Sequence, residues 1–202
     1  MLAKLRPFLK HQLLKSVYYS LVYSHLFYGI QAWGSADKTF VEKLNILNNK
    51  AVRILSNKQY FQIYGETPGP LPSSEPLYKK LEILKFYDIF QLSVANFVYS
   101  TLDFESPLIF HDWFKFDYEI HNHNTRLAAD VVSENCFDIG RIENSLTLHN
   151  RGSNNKHGAK MLQVLGPLIW NKIPEKIQKA SSIHTFKVHL KTFYLEQYDL
   201  NN

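Results

Sequence analysis

Apolar positions recur at helical spacing along most of the chain. From Lys15 to Gly34 they follow one another in steps of one, three or four residues, and further apolar side chains lie on neighbouring faces. A helix that is apolar nearly all round is typically buried in a core or covered on several sides. Pro7 suits a first turn and Gly34 a helix end, so the pattern predicts one central helix from about Pro7 to Trp33.

A second helix is predicted after Gly34. Thr39 and Glu42 have the spacing of a capping box, in which both side chains satisfy free N–H groups at a helix start. The apolar stripe of this helix is expected to comprise Phe40, Leu44, Leu47, Ala51, Ile54 and Leu55. Its asparagines Asn45, Asn48 and Asn49 are poor helix formers, so we expect tertiary packing to hold the element in place.

Proline and glycine then mark a boundary. Residues 59–75 contain three prolines and two glycines among their turn-forming residues, which predicts a linker between a helical region 1–58 and a second region 76–202. Ser74 is expected to cap a helix with Leu77, Leu81 and Leu84 in the core.

The second region continues the helical pattern. Asp88 is predicted to cap a further helix, and helices are expected over 159–171 and 182–198, with Trp170 packed in the core. Residues 127–132 and 145–149 could form short strands. The fold class predicted is mainly α, a helical bundle followed by a second helical region with a few short strands.

Charge is distributed unevenly along the 202 residues. The net charge of +5 divides into +7 over residues 1–60, −7 over 61–150 and +5 over 151–202. A basic end beside an acidic middle indicates a polyanionic partner engaged by part of the molecule, although an ordinary solvated surface would give the same count.

The cysteine count, the histidine positions and the hydropathy of the chain bear on its compartment, on metal binding and on membrane insertion. The single Cys136 excludes an internal disulfide and fits a reducing compartment, so we expect an intracellular protein, nuclear or cytoplasmic. His121 and His123 could seed a metal site with His111 or Cys136, but structural zinc sites usually need cysteine pairs, so no metal is predicted. Polar side chains interrupt every long apolar run, so no membrane span is predicted.

Four ordered stretches carry a resemblance. They are VYYSLVYSHLFYGIQAWG (Val17 to Gly34), KLNILNNKAVRI (Lys43 to Ile54), PLYKKLEILKFYDIFQL (Pro76 to Leu92) and GPLIWNKIPEKI (Gly166 to Ile177). The chain thereby resembles the region after the polymerase palm in LINE-type, jockey-like non-LTR retrotransposon reverse transcriptases. The resemblance implies that residues 1–58 are thumb-like and that 76–202 form a C-terminal connection region.

The resemblance also implies which residues catalysis would require. The reverse transcriptase palm carries two adjacent aspartates that hold metal ions for nucleotidyl transfer. No two adjacent aspartates occur in this sequence. We therefore expect a truncated copy that lacks the palm and the endonuclease, with no catalytic residues and no cofactor of its own, although the parent palm would use Mg²⁺.

The expected activity is binding to nucleic acid. Thumb helices of polymerases contact the backbone of the template–primer duplex, so the partner predicted is RNA or an RNA–DNA hybrid, bound without sequence specificity. The candidate phosphate contacts are Lys4, Arg6, Lys10, Lys15, Lys50, Arg53, Lys58 and Arg126. The other expected partners are the missing palm and, through exposed apolar surface, a second copy of the chain.

Two other interpretations stay open. The chain could be an inert fragment of such an element, a helical scaffold whose surfaces were shaped for palm contacts. It could also be an independent helical adaptor that uses its acidic middle on a basic protein. Salt-dependent nucleic-acid binding separates the first interpretation from both.

Overall fold

The computed structural model describes residues 1–56, 73–120 and 146–198. These residues are mainly α-helical, which confirms the predicted fold class. The chain divides into two compact units: Met1–Ser93 with Lys191–Asn202, and Val94–Leu190. The predicted linker 59–75 lies almost wholly outside the described residues, so the domain boundaries stay a prediction.

The helices of the first unit follow in chain order. They are α1 (Leu2–Leu5), α2 (His11–Val17), a π-helical turn (Tyr18–Tyr23), α3 (Ser24–Phe27), α4 (Ile30–Trp33), α5 (Lys38–Leu55), α6 (Glu75–Leu81) and the start of α7 (Phe86–Leu102). The end of α11 (Ile183–Gln197) completes the unit. Their core includes Leu14, Tyr18, Val52, Leu77 and Leu81.

The predicted single central helix is wrong. The structure begins a helix at His11 rather than at Pro7, and Gly29 takes a left-handed conformation with φ of 61° that separates α3 from α4. Glycine adopts this conformation without the penalty that a Cβ imposes. The Trp33 indole N–H donates to the Tyr28 carbonyl at 2.8 Å and so links the two sides of the turn.

Burial along this stretch is one-sided. Leu14, Tyr18, Leu26 and Ile30 are buried, whereas the Leu21 side chain is 40% exposed. The expectation of a helix covered nearly all round is therefore wrong. Its reason lies in the π-helical turn and the Gly29 turn, which change the register of the apolar positions.

Helix α5 buries Ala51 and Leu55 of the predicted stripe, but its buried face also includes Asn48 and Val52. It begins at Lys38 with Asp37 as the N-cap residue, not at Thr39, and its buried residues are Asn48, Ala51, Val52 and Leu55. Phe40 is 63% and Leu47 59% exposed. Hydrogen bonds account for the rotation, because Asn48 accepts from Tyr18 at 2.8 Å and Asn49 accepts from Tyr78 at 2.7 Å.

Replacing Tyr18 by phenylalanine should expose the importance of this buried hydrogen bond. The Asn48 carbonyl oxygen would lose its donor in a buried site, at a cost of about 1–3 kcal/mol in the free energy of unfolding. Chemical denaturation measures the loss. Tyr19→Phe is the matched control, since the Tyr19 hydroxyl makes a longer, exposed bond of 3.4 Å. Equal effects of the two substitutions would contradict this role for Asn48.

Sequence prediction succeeds for α6. Ser74 is its N-cap residue, Pro76 lies in its first turn, and Leu77, Leu81 and Leu84 are buried as expected. The Ser74 hydroxyl does not cap the helix itself but donates to Asn49 at 3.1 Å. Helix α7 begins at Phe86, so Asp88 lies in its first turn rather than at the cap.

Asp88 instead takes part in a buried polar contact. It accepts a hydrogen bond from the Tyr198 hydroxyl, and that hydroxyl accepts the Lys85 backbone N–H at 2.9 Å. Burial raises the pKa of Asp88, and the Tyr198 bond and the Lys85 charge partly offset the rise. The contact fixes the end of α11 to the start of α7.

The second unit holds the rest of α7 and α11 with the shorter helices between them. These are α8 (Asp117–Ile120), α9 (Leu162–Trp170) and α10 (Glu175–Gln178), with 3₁₀ turns at Leu108–Phe110 and Gly158–Lys160. Phe186 stacks on Tyr99 at a ring-centre distance of 4.7 Å and on Trp170 at 5.8 Å. The Trp170 indole donates to the Leu146 carbonyl at 3.1 Å, so the prediction that Trp170 packs in the core is confirmed.

The predicted strands receive little support. Residues 127–132 lie outside the described part of the chain. In the described part of 145–149, Leu148 forms an isolated antiparallel bridge with Phe116, and no longer strand is present there.

Candidate nucleic-acid interface

The basic N-terminal segment is built on a short helix and a turn. Arg6 follows α1, and Lys10 is the N-cap residue of α2, whose first turn closes with the Leu14 N–H bonded to the Lys10 carbonyl at 3.0 Å. Leu5 and Leu9 pack against the core of the first unit. This packing leaves the cationic side chains of the segment on the outside.

Arg6 and Lys10 line one cleft of about 870 Å³. Its other wall comes from the end of α5, with Ile54, Leu55 and Ser56. His11 joins the two walls, since its Nδ1 lies 3.1 Å from the Leu55 carbonyl oxygen. Among the described residues that line the cleft, none is acidic. The described lining of the cleft therefore carries the positive charges of Arg6 and Lys10 and no negative charge.

The remaining predicted phosphate contacts lie elsewhere. Lys4 is exposed on α1 and Lys50 on α5. Lys15 is half-buried and 3.9 Å from Glu82, which partly neutralises it. Lys58 and Arg126 lie outside the described residues.

Arg53 lines a different cleft. This smaller cleft, of about 300 Å³, is also lined by Asn49, Tyr78 and Lys85. Burial raises the pKa of Tyr78, and the positive charge of Arg53 partly offsets that rise. Lys85 pairs with Glu75 and lies 4.5 Å from the centre of the Tyr198 ring. Arg53 therefore lies apart from Arg6 and Lys10, in a cleft that also holds the Lys85–Glu75 ion pair.

A second lysine near Lys15 was not among the predicted contacts. Lys191 on α11 is half-buried, and burial lowers its pKa, with Lys15 lowering it further and Glu82 raising it. The charges of Lys15 and Glu82 thus both act on Lys191. The helical spacing of Lys187 and Lys191 was the signal in the sequence, but the influence of Glu82 and Lys15 joins distant parts of the chain and has no local pattern.

An apolar groove of about 470 Å³ lies between the first helices and α5. Its walls include Leu21, Leu26, Trp33, Leu44 and Leu47. Exposed apolar surface of this kind favours association, and the predicted self-association stays a prediction.

Within the described ranges, no group of three or more histidine, cysteine, aspartate or glutamate side chains could hold a metal ion. His111 Nε2 lies 2.8 Å from the Ser106 carbonyl oxygen, whereas His121, His123 and Cys136 fall outside those ranges. Over the same residues, no helix has the length and apolar character needed to cross a membrane.

Comparison with known proteins adds no neighbour. No family model, curated protein or solved structure matches the chain. The resemblance to LINE-type reverse transcriptases therefore depends on the four sequence stretches, and the interface depends on the geometry of the first unit.

Proposed function

We propose that the chain binds the phosphate backbone of RNA or an RNA–DNA hybrid without sequence specificity, as the thumb-like and connection region of the non-LTR reverse transcriptases that it resembles. The observation that supports this most is the cleft in which Arg6 and Lys10 lie together with no acidic residue among its described lining. Flexible cations of this kind contact phosphates but do not distinguish bases.

The charge of the whole segment supports the same function. Residues 1–60 carry a net charge of +7, and Lys4 and Lys50 present theirs on the exposed faces of α1 and α5. A concentrated positive potential raises the rate at which a polyanion meets the surface. In this proposal the protein is intracellular, nuclear or cytoplasmic, and the chain itself does not polymerise DNA. The palm of the same kind of element is its protein partner.

Binding of two hybrids tests the proposal. We expect fluorescence anisotropy to give dissociation constants that agree within about threefold for RNA–DNA hybrids of equal length and unrelated sequence, since phosphates carry no sequence identity. A double-stranded DNA of the same length is the comparison ligand. Absence of binding to both hybrids at low salt, or a strong preference for one sequence, would refute non-specific backbone binding.

A further inference from the structure

An exposed aromatic ring lies between the cations of the cleft. Phe8 is 84% exposed and lines the same cleft as Arg6 and Lys10. The backbone N–H groups of Phe8 and Leu9 both donate to the Leu5 carbonyl at 3.1 Å. Because this turn is fixed while Leu5 and Leu9 pack against the core, the Phe8 ring is held in solvent.

We infer that this cleft takes one unpaired nucleotide, whose base stacks on Phe8 while its neighbouring phosphates contact Arg6 and Lys10. An aromatic face beside a cationic groove is the arrangement with which proteins hold single strands, and stacking tolerates any base. The volume of about 870 Å³ lies within the range of small-ligand sites, roughly 300–1,000 Å³. The inference rests on the proposed backbone binding and adds a preference for a single-stranded segment next to the duplex.

The two walls of the cleft are joined to each other, so a bound strand meets a surface of fixed shape. His11 Nδ1 contacts the Leu55 carbonyl oxygen, which ties the start of α2 to the end of α5. The bases inside a paired duplex are covered by their neighbours, so away from the duplex ends the Phe8 ring can be covered only by a base that has left the stack. The interior of a hybrid would thus use the cations alone.

The test uses two RNA–DNA hybrids that differ in one feature. Both carry the same short single-stranded RNA extension, with normal bases in one and abasic sites in the other, so that their phosphates are identical. The wild-type protein should bind the base-containing extension at least about fivefold more tightly by fluorescence anisotropy, the lower end of what one stacked base contributes.

Substitutions at Phe8 test whether its ring causes the preference for the base-containing extension. Phe8→Leu should abolish the difference between the two extensions, whereas Phe8→Tyr should keep the difference. Tyr28→Leu is the matched control, since Tyr28 is equally exposed but does not line the cleft. Melting curves of all variants should coincide, because neither ring is packed.

The outcomes separate this inference from the proposed function. If the wild type binds blunt hybrids but does not distinguish the two extensions, base stacking is refuted and backbone binding stands. The same conclusion follows if Phe8→Leu keeps the full preference. If no hybrid binds at low salt, both proposals fail.

Discussion

Reversing Lys4, Arg6 and Lys10 to glutamate should weaken binding of an RNA–DNA hybrid by about three orders of magnitude at ~50 mM salt. For B-DNA, each phosphate contact contributes about 0.9 units to the slope of log K against log salt, and we transfer that slope to a hybrid. Relative to ~1 M salt, the loss of three such contacts lowers log K at ~50 mM by about three units. Arg6 and Lys10 line the cleft, and Lys4 is exposed on α1 in the same basic segment, so carboxylates at these positions would also repel the strand.

A charge-matched variant controls for net charge. Lys79, Lys80 and Lys115 are exposed and belong to the acidic segment 61–150, where nearby carboxylates already oppose a polyanion. Reversing these three changes the total charge equally and should weaken binding less than about tenfold. Equal losses in the two variants would show that attraction is diffuse and that the cleft is not the site.

Phe186→Ala should lower the free energy of unfolding by about 3–5 kcal/mol. Phe186 is 0% exposed and its ring stacks between those of Tyr99 and Trp170 in the second unit. Truncation would leave a cavity and remove two aromatic contacts at once. A loss of this size is a large fraction of the stability of an ordinary domain, so partial unfolding at room temperature is expected.

Two neighbouring substitutions bracket this effect in urea denaturation followed by circular dichroism. Phe186→Leu keeps most of the buried volume and should cost less than the alanine change. Val188→Ala lies on the same helix at a position that is 49% exposed and should change stability by no more than about 0.5 kcal/mol. If Phe186→Ala proved as mild as Val188→Ala, the aromatic stack would not be the core of the second unit.

Local sequence signals correctly predicted the helices that begin with a serine at the N-cap or a proline in the first turn. Ser74 with Pro76 marks the start of α6, and the predicted helix 182–198 is confirmed as α11, where the Thr185 N–H bonds to the Ser182 hydroxyl at 3.2 Å. In each case the capping residue and the apolar spacing indicate the same boundary. Trp170 was likewise predicted correctly, because a large indole in an apolar run is usually buried.

Elsewhere the local signals gave a wrong prediction, because tertiary hydrogen bonds and backbone turns determine the structure there. Apolar spacing continues on both sides of Gly29, so periodicity alone could not reveal that this glycine ends one helix and begins another. The buried face of α5 depends on what Tyr18 and Tyr78 donate to Asn48 and Asn49, and those tyrosines lie about 30 residues away in each direction.

The candidate site was likewise predicted only in part from the sequence. Charge counting identified the basic segment, but it could not separate Arg6 and Lys10, which share a cleft, from Arg53, which lines a different cleft with Tyr78 and Lys85. Phe8 was not singled out, because a phenylalanine next to Leu9 and three positions after Leu5 has the helical spacing of a buried position. Its exposure follows from the turn at Leu5, which only the structure shows.

The salt dependence of binding is the most direct measurement of the proposed function. With about four phosphate contacts, log K for one blunt RNA–DNA hybrid should fall by roughly 3.6 units per decade of salt, so raising salt from about 50 to 200 mM should weaken binding on the order of a hundredfold. The variant with Lys4, Arg6 and Lys10 reversed should show a slope of about one. A wild-type slope near zero, or a reversed variant with the full wild-type slope, would contradict phosphate binding at this cleft.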